Sequence, residues 1–343
     1  MKFLDLFAGI GGFRLGLEKA GHECVGFCEI DKFARSSYKA IHNTEGEIEW
    51  HDITKVSNDD FRLLRGQVDL ICGGFPCQAF SVAGKRGGFS DTRGTLFFEI
   101  ARAVEQIQPR YILLENVKGL LSHDKGRTFG IILNTLDELG YNVEWQVCNS
   151  KHFGVPQNRE RVYIVGYLRG SSEREIFPIG GIDEQTYTSN VKTSNELKIA
   201  MPVLTPDRLK KRQNGRRFKE NGEPAFTVTT QDIHGVMIKE ATKKGYAIAT
   251  EGDAINFSVP GSKTRRGRVG KGIANTLDTS CNQGILEGYR IRKLTPRECW
   301  RLQGFPDWAF DCAAKVNSDS QLYKQAGNSV TVPVIYEIGK RLK

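Results

Sequence analysis

The sequence predicts a doubly wound α/β fold built on a mostly parallel sheet, joined to a second, smaller, mainly β or irregular domain. Three observations predict it. Apolar segments of four to six residues alternate with amphipathic segments of helical length through the first half. The first of them runs through a glycine turn straight into a helix, the usual opening of such a sheet. After about residue 178 the helical periodicity stops, and Thr, Gly, Lys and Arg become frequent.

Each element follows in order. Phe3 to Phe7 reads as a strand, Gly9 to Gly12 as the turn, and Phe13 to Ala20 as a helix with 13, 17 and 20 on one face, stopped by Gly21. Cys24 to Cys28 is a second strand ending at Glu29, and a helix follows from about Lys32 to Ile41. His51-Asp52-Ile53 follows a third strand. Val68 to Cys72 is a fourth, with Asp69 at its edge. Leu96 to Ile107 is amphipathic, with 96, 97, 100, 104 and 107 on one face, and Pro109 closes it. Tyr111 to Leu114 is a fifth strand, Phe129 to Leu139 a helix ended by Gly140, and Arg161 to Gly166 a further strand. Between about 178 and 290 a weak internal echo recurs at an offset of 49: Ala225 to Thr230 with Gly235-Val236, and Ala274 to Thr279 with Gly284-Ile285. Helix signals return at Thr295-Pro296-Arg297-Glu298, a capping box with proline at the first helical position. Val332 to Leu342 reads as a closing helix.

Composition narrows the function. The chain has 343 residues, 39% hydrophobic and 26% charged, which suits a folded globular protein. It has no apolar run long enough to span a bilayer. Asp5 interrupts the apolar start, so export is not expected and the protein is read as cytoplasmic. Its eight cysteines include no Cys-x-x-Cys pair, and no His-x-x-x-His pattern exists, so no metal site is expected. Reduced thiols suit that compartment. The net charge is +9, and residues 181–290 hold 18 basic against 12 acidic side chains. Seven Lys/Arg and no acid lie within 208–219, and a second cluster runs Lys263, Arg265, Arg266, Arg268, Lys271. Such clusters attract polyanions, or are simply solvated basic faces.

In a doubly wound sheet, ligands sit beyond the carboxyl ends of the strands. The residues there carry the candidate chemistry. Only small residues let a helix start approach a ligand closely, as at Gly9, Gly11 and Gly12. Glu29 lies 20 positions after Gly9, a spacing at which an acid can reach ribose hydroxyls. The pair points to a nucleoside-containing cofactor without choosing between NAD and S-adenosylmethionine, although Arg14 occupies the third position of the dinucleotide fingerprint. Gly73-Gly74-Phe75-Pro76-Cys77-Gln78-Ala79-Phe80-Ser81 puts Cys77 in a glycine-proline turn past a buried strand. Lys85, Arg86 and Arg93 would favour its thiolate, so Cys77 is the nucleophile candidate and Cys72 a core residue. Glu115 at a strand end suits an acid whose pKa desolvation raises. Arg159 and Arg161 alternate into a strand and share one face, suited to an anion or an acidic side chain.

Taken together, Asp-Leu-Phe-Ala-Gly-Ile-Gly-Gly-Phe, Gly-Phe-Pro-Cys-Gln-Ala-Phe-Ser, Glu-Asn-Val, Gln-Asn-Arg-Glu-Arg, Arg-Lys-Leu-Thr-Pro-Arg-Glu-Cys and Gln-Ala-Gly-Asn-Ser, in that order, resemble the DNA (cytosine-5) methyltransferase family of bacterial or phage type. The resemblance spans the chain except about 180–285, where family members differ and target recognition resides. It implies the S-adenosylmethionine-dependent methyltransferase fold. It implies a catalytic and cofactor-binding unit of 1–178 plus about 318–343, and a target-recognition unit of about 179–317. Phe7, Gly9, Gly11, Gly12, Glu29, Ile30, Asp52, Ile53, Pro76, Leu96 and Asn328 would hold S-adenosyl-L-methionine, with Glu29 on the ribose and Asp52 on the adenine. Cys77 would be the nucleophile, and Glu115, Arg159 and Arg161 would grip the cytosine. Ser81 would touch the neighbouring phosphate, and Arg93, Arg265 and Arg266 would meet DNA. Thr276-Leu277 matches the family's Thr-Leu contact to the flipped nucleotide, and Thr227-Val228 echoes it. The side chain that enters the vacated stack is not assigned; Ser262 to Arg268 is the candidate stretch.

The implied activity is methylation of cytosine C5 in duplex DNA by a monomer, in a restriction-modification or phage setting. A cognate restriction endonuclease would act on the same site without a stable complex. The same chemistry on tRNA is the alternative. A non-catalytic DNA-binding relative and an NAD oxidoreductase are weaker rivals.

Overall fold

The computed structural model describes residues 1–76, 96–170, 175–180, 200–204, 234–259, 262, 264, 266–287 and 290–342. The first half opens with β1 (Lys2–Leu6), α1 (Gly12–Lys19), β2 (Glu23–Cys28), α2 (Lys32–Ile41) and β3 (Ile48–Trp50). It continues with α3 (Asn58–Arg62), β4 (Leu70–Gly74), α4 (Leu96–Ile107), β5 (Tyr111–Val117) and α5 (Arg127–Glu138). Three further strands follow: β6 (Tyr141–Asn149), β7 (Gln157–Asn158) and β8 (Glu160–Leu168).

Seven of these strands form one sheet in the order β3-β2-β1-β4-β5-β8-β6. β1 to β5 run parallel, whereas β8 is antiparallel to both β5 and β6. Strand alternation explains the two-faced burial. Leu4 and Leu6 point into a core with Phe61, Phe97, Ile100, Val104 and Ile132 from α3, α4 and α5. Phe3 points to the other face, onto Phe13 and Leu17 of α1 and Val334, Ile335 and Ile338 near the C-terminus. The chain winds from β1 to β3 in one direction and from β4 onward in the other. A crevice therefore opens between β1 and β4, at their carboxyl ends.

Two strand expectations need correction. β5 continues to Val117, so Glu115 and Asn116 lie within the strand rather than after it; β8 pairs with it residue by residue up to Val117↔Arg161. The edge strand β6 has no counterpart in the periodicity reading. Its side chains are mostly half-buried, so its alternation is blurred.

The second half holds β9 (Ala200–Leu204), β10 (His234–Lys239) and β11 (Tyr246–Ala249) in one antiparallel sheet. Strands β12 (Ala254–Asn256), β13 (Val269–Gly270), β15 (Gln283–Glu287) and β16 (Arg290–Lys293) form another. Val236, Ile238, Ala249, Ile255, Phe257 and Leu286 make a small core between the two. β14 (Ala274–Asn275) pairs instead with β7, in parallel. Helices α6 (Pro296–Leu302), α7 (Asp307–Ala314), α8 (Asp319–Asn328) and α9 (Val332–Gly339) complete the chain. The Thr295 capping box forms as expected. α7 and α8 were not anticipated from periodicity; they gather around Trp300, whose indole donates to the Leu322 carbonyl at 2.9 Å.

The basic cluster of 263–271 also needs correction. Arg268 is fully buried and donates to the carbonyls of Asn256, Ser258 and Val259. Lys271 pairs with Asp253 at 2.6 Å. Only Arg266, exposed and bonded through Nε to the Ala241 carbonyl, suits a phosphate contact among the described members. Lys263 and Arg265 lie outside the described residues, as does the 225–230 half of the internal echo.

Candidate active site

The glycine turn connects β1 to α1 at the switch point. Phe7, Gly9 and Gly11 all have positive φ, and Gly11 is the residue before the helix. Gly12 has no room for a side chain, because a Cβ there would sit 2.8 Å from Val330 Cγ2 and 2.9 Å from Ser329 Oγ. The segment after α8 thus lies directly on the turn, and Asn328, just before it, is exposed.

Arg14, noted in the sequence only as a departure from a fingerprint, turns out to be a buried clamp. It donates to both carboxylate oxygens of Glu47 at 2.7 Å, to the Asn43 carbonyl at 2.9 Å and to Glu18 at 2.7 Å. It fixes α1 against the loop that leads into β3.

Glu29 follows β2. Its two oxygens accept from the Gly9 N–H at 2.8 Å and the Asp31 N–H at 2.7 Å. Burial raises its pKa, and these two donors oppose the rise. Ile30 beside it is 69% exposed, an unusual state for a large apolar side chain. Asp52, after β3, accepts from the Thr54 hydroxyl at 2.8 Å and the Thr54 N–H at 3.0 Å. Those bonds hold its carboxyl below the usual carboxylate range. Ile53 behind it is buried.

S-adenosyl-L-methionine fits this set. Glu29 retains lone pairs for ribose hydroxyls, because among the described residues each of its oxygens accepts a single hydrogen bond. Ile30 offers bare apolar surface to a planar ring, and ionised Asp52 can accept from an exocyclic amine. Leu96 opens α4, and Pro76 is exposed just beyond β4. Among the described residues no group of three or more His, Cys, Asp or Glu could hold a metal ion.

At the other end of the crevice, Glu115 stands in register with Gly74 on one side and Tyr163 on the other. It is 8% exposed. Arg161 Nε approaches its Oε1 at 3.0 Å, an ion pair without hydrogen-bond alignment, since that oxygen has no geometrically sound partner among the described residues. Burial raises the Glu115 pKa, against the pull of Arg161 and then Arg159. Asn116 donates to the Phe75 carbonyl at 2.8 Å, and Phe75 packs on Phe97. That pins the chain two residues before Cys77. Cys77, Ser81 and Arg93 themselves lie outside the described residues. Cys72 is fully buried and bonded toward the Leu4 carbonyl, as a core residue should be.

Of the two arginines, only Arg161 touches Glu115. Arg159, between β7 and β8, binds backbone carbonyls of Leu277, Gly327 and Ser329 and reaches Glu115 through its field. Glu160 faces the opposite way, onto Lys118. The segment carrying β14 arrives at the same place. β14 registers Ala274 with Gln157 and Asn275 with Asn158, and the exposed Thr276 donates to the Asn158 carbonyl at 2.9 Å. Gln157, buried, accepts from the Leu277 N–H and donates to the Leu302 carbonyl. No local pattern in the sequence marks this role, because both of its partners are distant in the chain. Thr227 lies outside the described residues.

The comparisons with known proteins decide the family. A family model described as C-5 cytosine-specific DNA methylase matches residues 1–343. The chain belongs to the C-5 cytosine-specific DNA methylase family. The methylase is 39% identical to the type II methyltransferase M.HpaII of Haemophilus parainfluenzae, over 99% of this chain and 88% of that one. It is 40% identical to the type II methyltransferase M.SsoII of Shigella sonnei, over 99% of this chain and 79% of that relative. In fold it is similar to the S. pombe Dnmt2 methyltransferase, with a TM-score of 0.58 at 20% identity over 99% and 97% of the two chains. The methylase is thus an α/β transferase acting at cytosine C5 of DNA, as its motifs implied, with a mainly parallel sheet and small antiparallel sheets beside it.

Proposed function

We propose that the methylase transfers a methyl group from S-adenosyl-L-methionine to C5 of a cytosine rotated out of duplex DNA, through a covalent adduct on Cys77. The observation that carries this reading is the buried Glu115–Arg161 pair, in register with the strand that ends three residues before Cys77. A carboxyl and a guanidinium side by side match the N3 and O2 edge of cytosine.

The chemistry follows from the residues. Cytosine C5 is a weak nucleophile. Addition of the Cys77 thiolate to C6 turns the ring into an enamine, whose C5 can attack an electrophilic carbon. Glu115, whose pKa burial raises, donates to N3 when protonated and stabilises the charge that develops in the ring. Arg161 holds Glu115 in place and offers to O2 the N–H groups it does not spend on Glu115 and the Glu160 carbonyl. The cofactor, when bound, supplies an activated methyl on a cationic sulfur; Glu29, Asp52, Ile30, Leu96, Asn328 and the glycine turn hold it. After transfer the C5 proton leaves to a base, and the Cys77–C6 bond breaks.

None of this fits a stacked base, so the nucleotide leaves the helix at a cost of a few kcal/mol, offset by contacts elsewhere. Thr276 beside Asn158, and Arg266 on the outer surface, are suited to those contacts. In this reading residues 1–178 with about 318–343 form the catalytic unit and about 179–317 the recognition unit. The methylase acts as a cytoplasmic monomer, protecting DNA from a cognate endonuclease or serving a phage.

Duplex DNA carrying 5-fluorocytosine at the target tests the reading. A covalent, denaturation-resistant adduct should form only with cofactor present, and tritiated methyl should enter DNA and not tRNA. Transfer to tRNA instead, or no adduct, would overturn it.

A further inference from the structure

We infer that Arg159 is a positioning residue that couples occupation of the cofactor crevice to engagement of DNA. This rests on the proposed roles of Asn328 toward cofactor and Thr276 toward DNA.

One guanidinium joins segments that are far apart in the chain. Nη2 donates to the carbonyls of Ser329 at 2.8 Å and Gly327 at 3.3 Å, and Nη1 donates to that of Leu277 at 3.4 Å. Gly327 and Ser329 flank Asn328, and Leu277 follows Thr276. The neighbours of the cofactor contact and the neighbour of the DNA contact therefore share one anchor. The backbones also meet directly. A Cβ on Gly327 would fall 2.4 Å from the Asp278 carbonyl oxygen, so the two backbones lie in direct contact. Ser329 and Val330 in turn abut Gly12 of the glycine turn. A packed path runs from the turn through Ser329 and Arg159 to Leu277.

Energetics make this path a coupler. Arg159 is 2% exposed, and a buried cation is tolerable only where carbonyls replace its water. Burial, with Arg161 repelling it, brings its pKa down only to about 10, so it stays charged at neutral pH. Only the Ser329 bond is short. The other two lie at the long end of hydrogen bonding and leave room for the segments to draw in. A ligand that orders either segment completes the shared anchor, so ordering the other costs less when the second ligand binds. A lysine keeps the charge but lacks the fork that reaches both sides.

The test measures linkage rather than activity. The target duplex, identified by bisulfite sequencing of DNA from cells expressing the methylase, is titrated by fluorescence anisotropy with and without saturating S-adenosyl-L-homocysteine. Wild type should bind DNA about fivefold or more tightly with the product bound, within the usual range of coupling. The product's own affinity should rise by the same factor when DNA is present. In Arg159→Lys the ratio should fall to about one, with folding checked by thermal melting. Arg159→Gln, which keeps two N–H donors without the charge, carries the same expectation should the lysine variant not fold. Arg161→Lys, two residues on and among the described residues bonded to Glu115 and the Glu160 carbonyl rather than to Leu277, Gly327 or Ser329, should lose turnover and keep the wild-type ratio. A wild-type ratio of one, an unchanged ratio in Arg159→Lys, or equal loss in both arginine variants overturns the inference. Failure of wild type to bind either ligand alone would instead overturn the reading beneath it.

Discussion

The two ends of the crevice use the same side chain in opposite ways. At the base end, Glu115 is sealed between strands, and burial lifts its pKa against two arginines. At the nucleoside end, Asp52 sits half-exposed and Thr54 pulls its carboxyl down. Glu29 lies between them in character, raised by burial yet bonded by two backbone N–H groups. The difference teaches that environment, not residue type, assigns the task. In the proposed roles, the carboxyl that donates is hidden from water and the one that accepts is left half-exposed with its pKa lowered.

The comparison can be broken most sharply at the sulfur proposed as the nucleophile. Cys77→Ala should abolish methyl transfer while DNA binding persists, and Cys77→Ser should be nearly as inactive, since a hydroxyl is a far weaker nucleophile near neutral pH. Tritium transfer beside a gel shift reads both; methyl transfer by the alanine variant would discard the nucleophile.

Next in size, Glu115→Gln should lower kcat by about 10²- to 10⁴-fold, the usual worth of a positioned acid, and leave cofactor affinity alone. Its pH dependence has a definite sign. The folded pKa is raised, so what the proton contributes, to stability and to the bond with cytosine N3, is present below the ordinary carboxyl range. It is lost as pH rises through the raised value. The alkaline fall of kcat/KM attributable to this group should vanish in Glu115→Gln; an unchanged profile would place that titration elsewhere.

At the nucleoside end the expected effects shift from turnover to affinity. Glu29→Ala should weaken cofactor binding by roughly 10- to 100-fold, as for loss of hydrogen bonds to a charged group, with DNA affinity in the absence of cofactor unchanged. Calorimetric titration with S-adenosyl-L-homocysteine measures it. The smallest effect belongs to Asp52→Asn, because the amide oxygen still accepts from Thr54: a weakening of only a few fold. In wild type the Asp52 contribution should hold above the ordinary carboxyl pKa and fade as pH falls through the depressed one. Equal losses at Glu29 and Asp52 would erase the distinction between a buried and an exposed acceptor.

Much of the first half was legible because its signals are local. The helix over Leu96–Ile107 follows from five apolar positions and a proline stop, and the structure has those bounds. The turn at Gly9–Gly12 and the cap at Thr295 are likewise written in neighbouring residues. Where burial is supplied by distant partners, the reading failed. β6 shows little contrast along its length because it lies at the sheet edge. β5 outran its apolar stretch because β8 pairs with its polar end. Arg268 looked like a surface charge, yet carbonyls of another loop draw it inside.

The sequence by itself determined the sheet's opening strands, the glycine turn, the acids after β2 and β3 and the family's chemistry, because turn chemistry and side-chain period act within a few residues. Only the tertiary structure decided which of two adjacent arginines touches Glu115, and which side chain ties residue 277 to residues 327 and 329. Those choices depend on which backbone carbonyls chain closure brings within reach of a buried cation, and no local pattern encodes that distance.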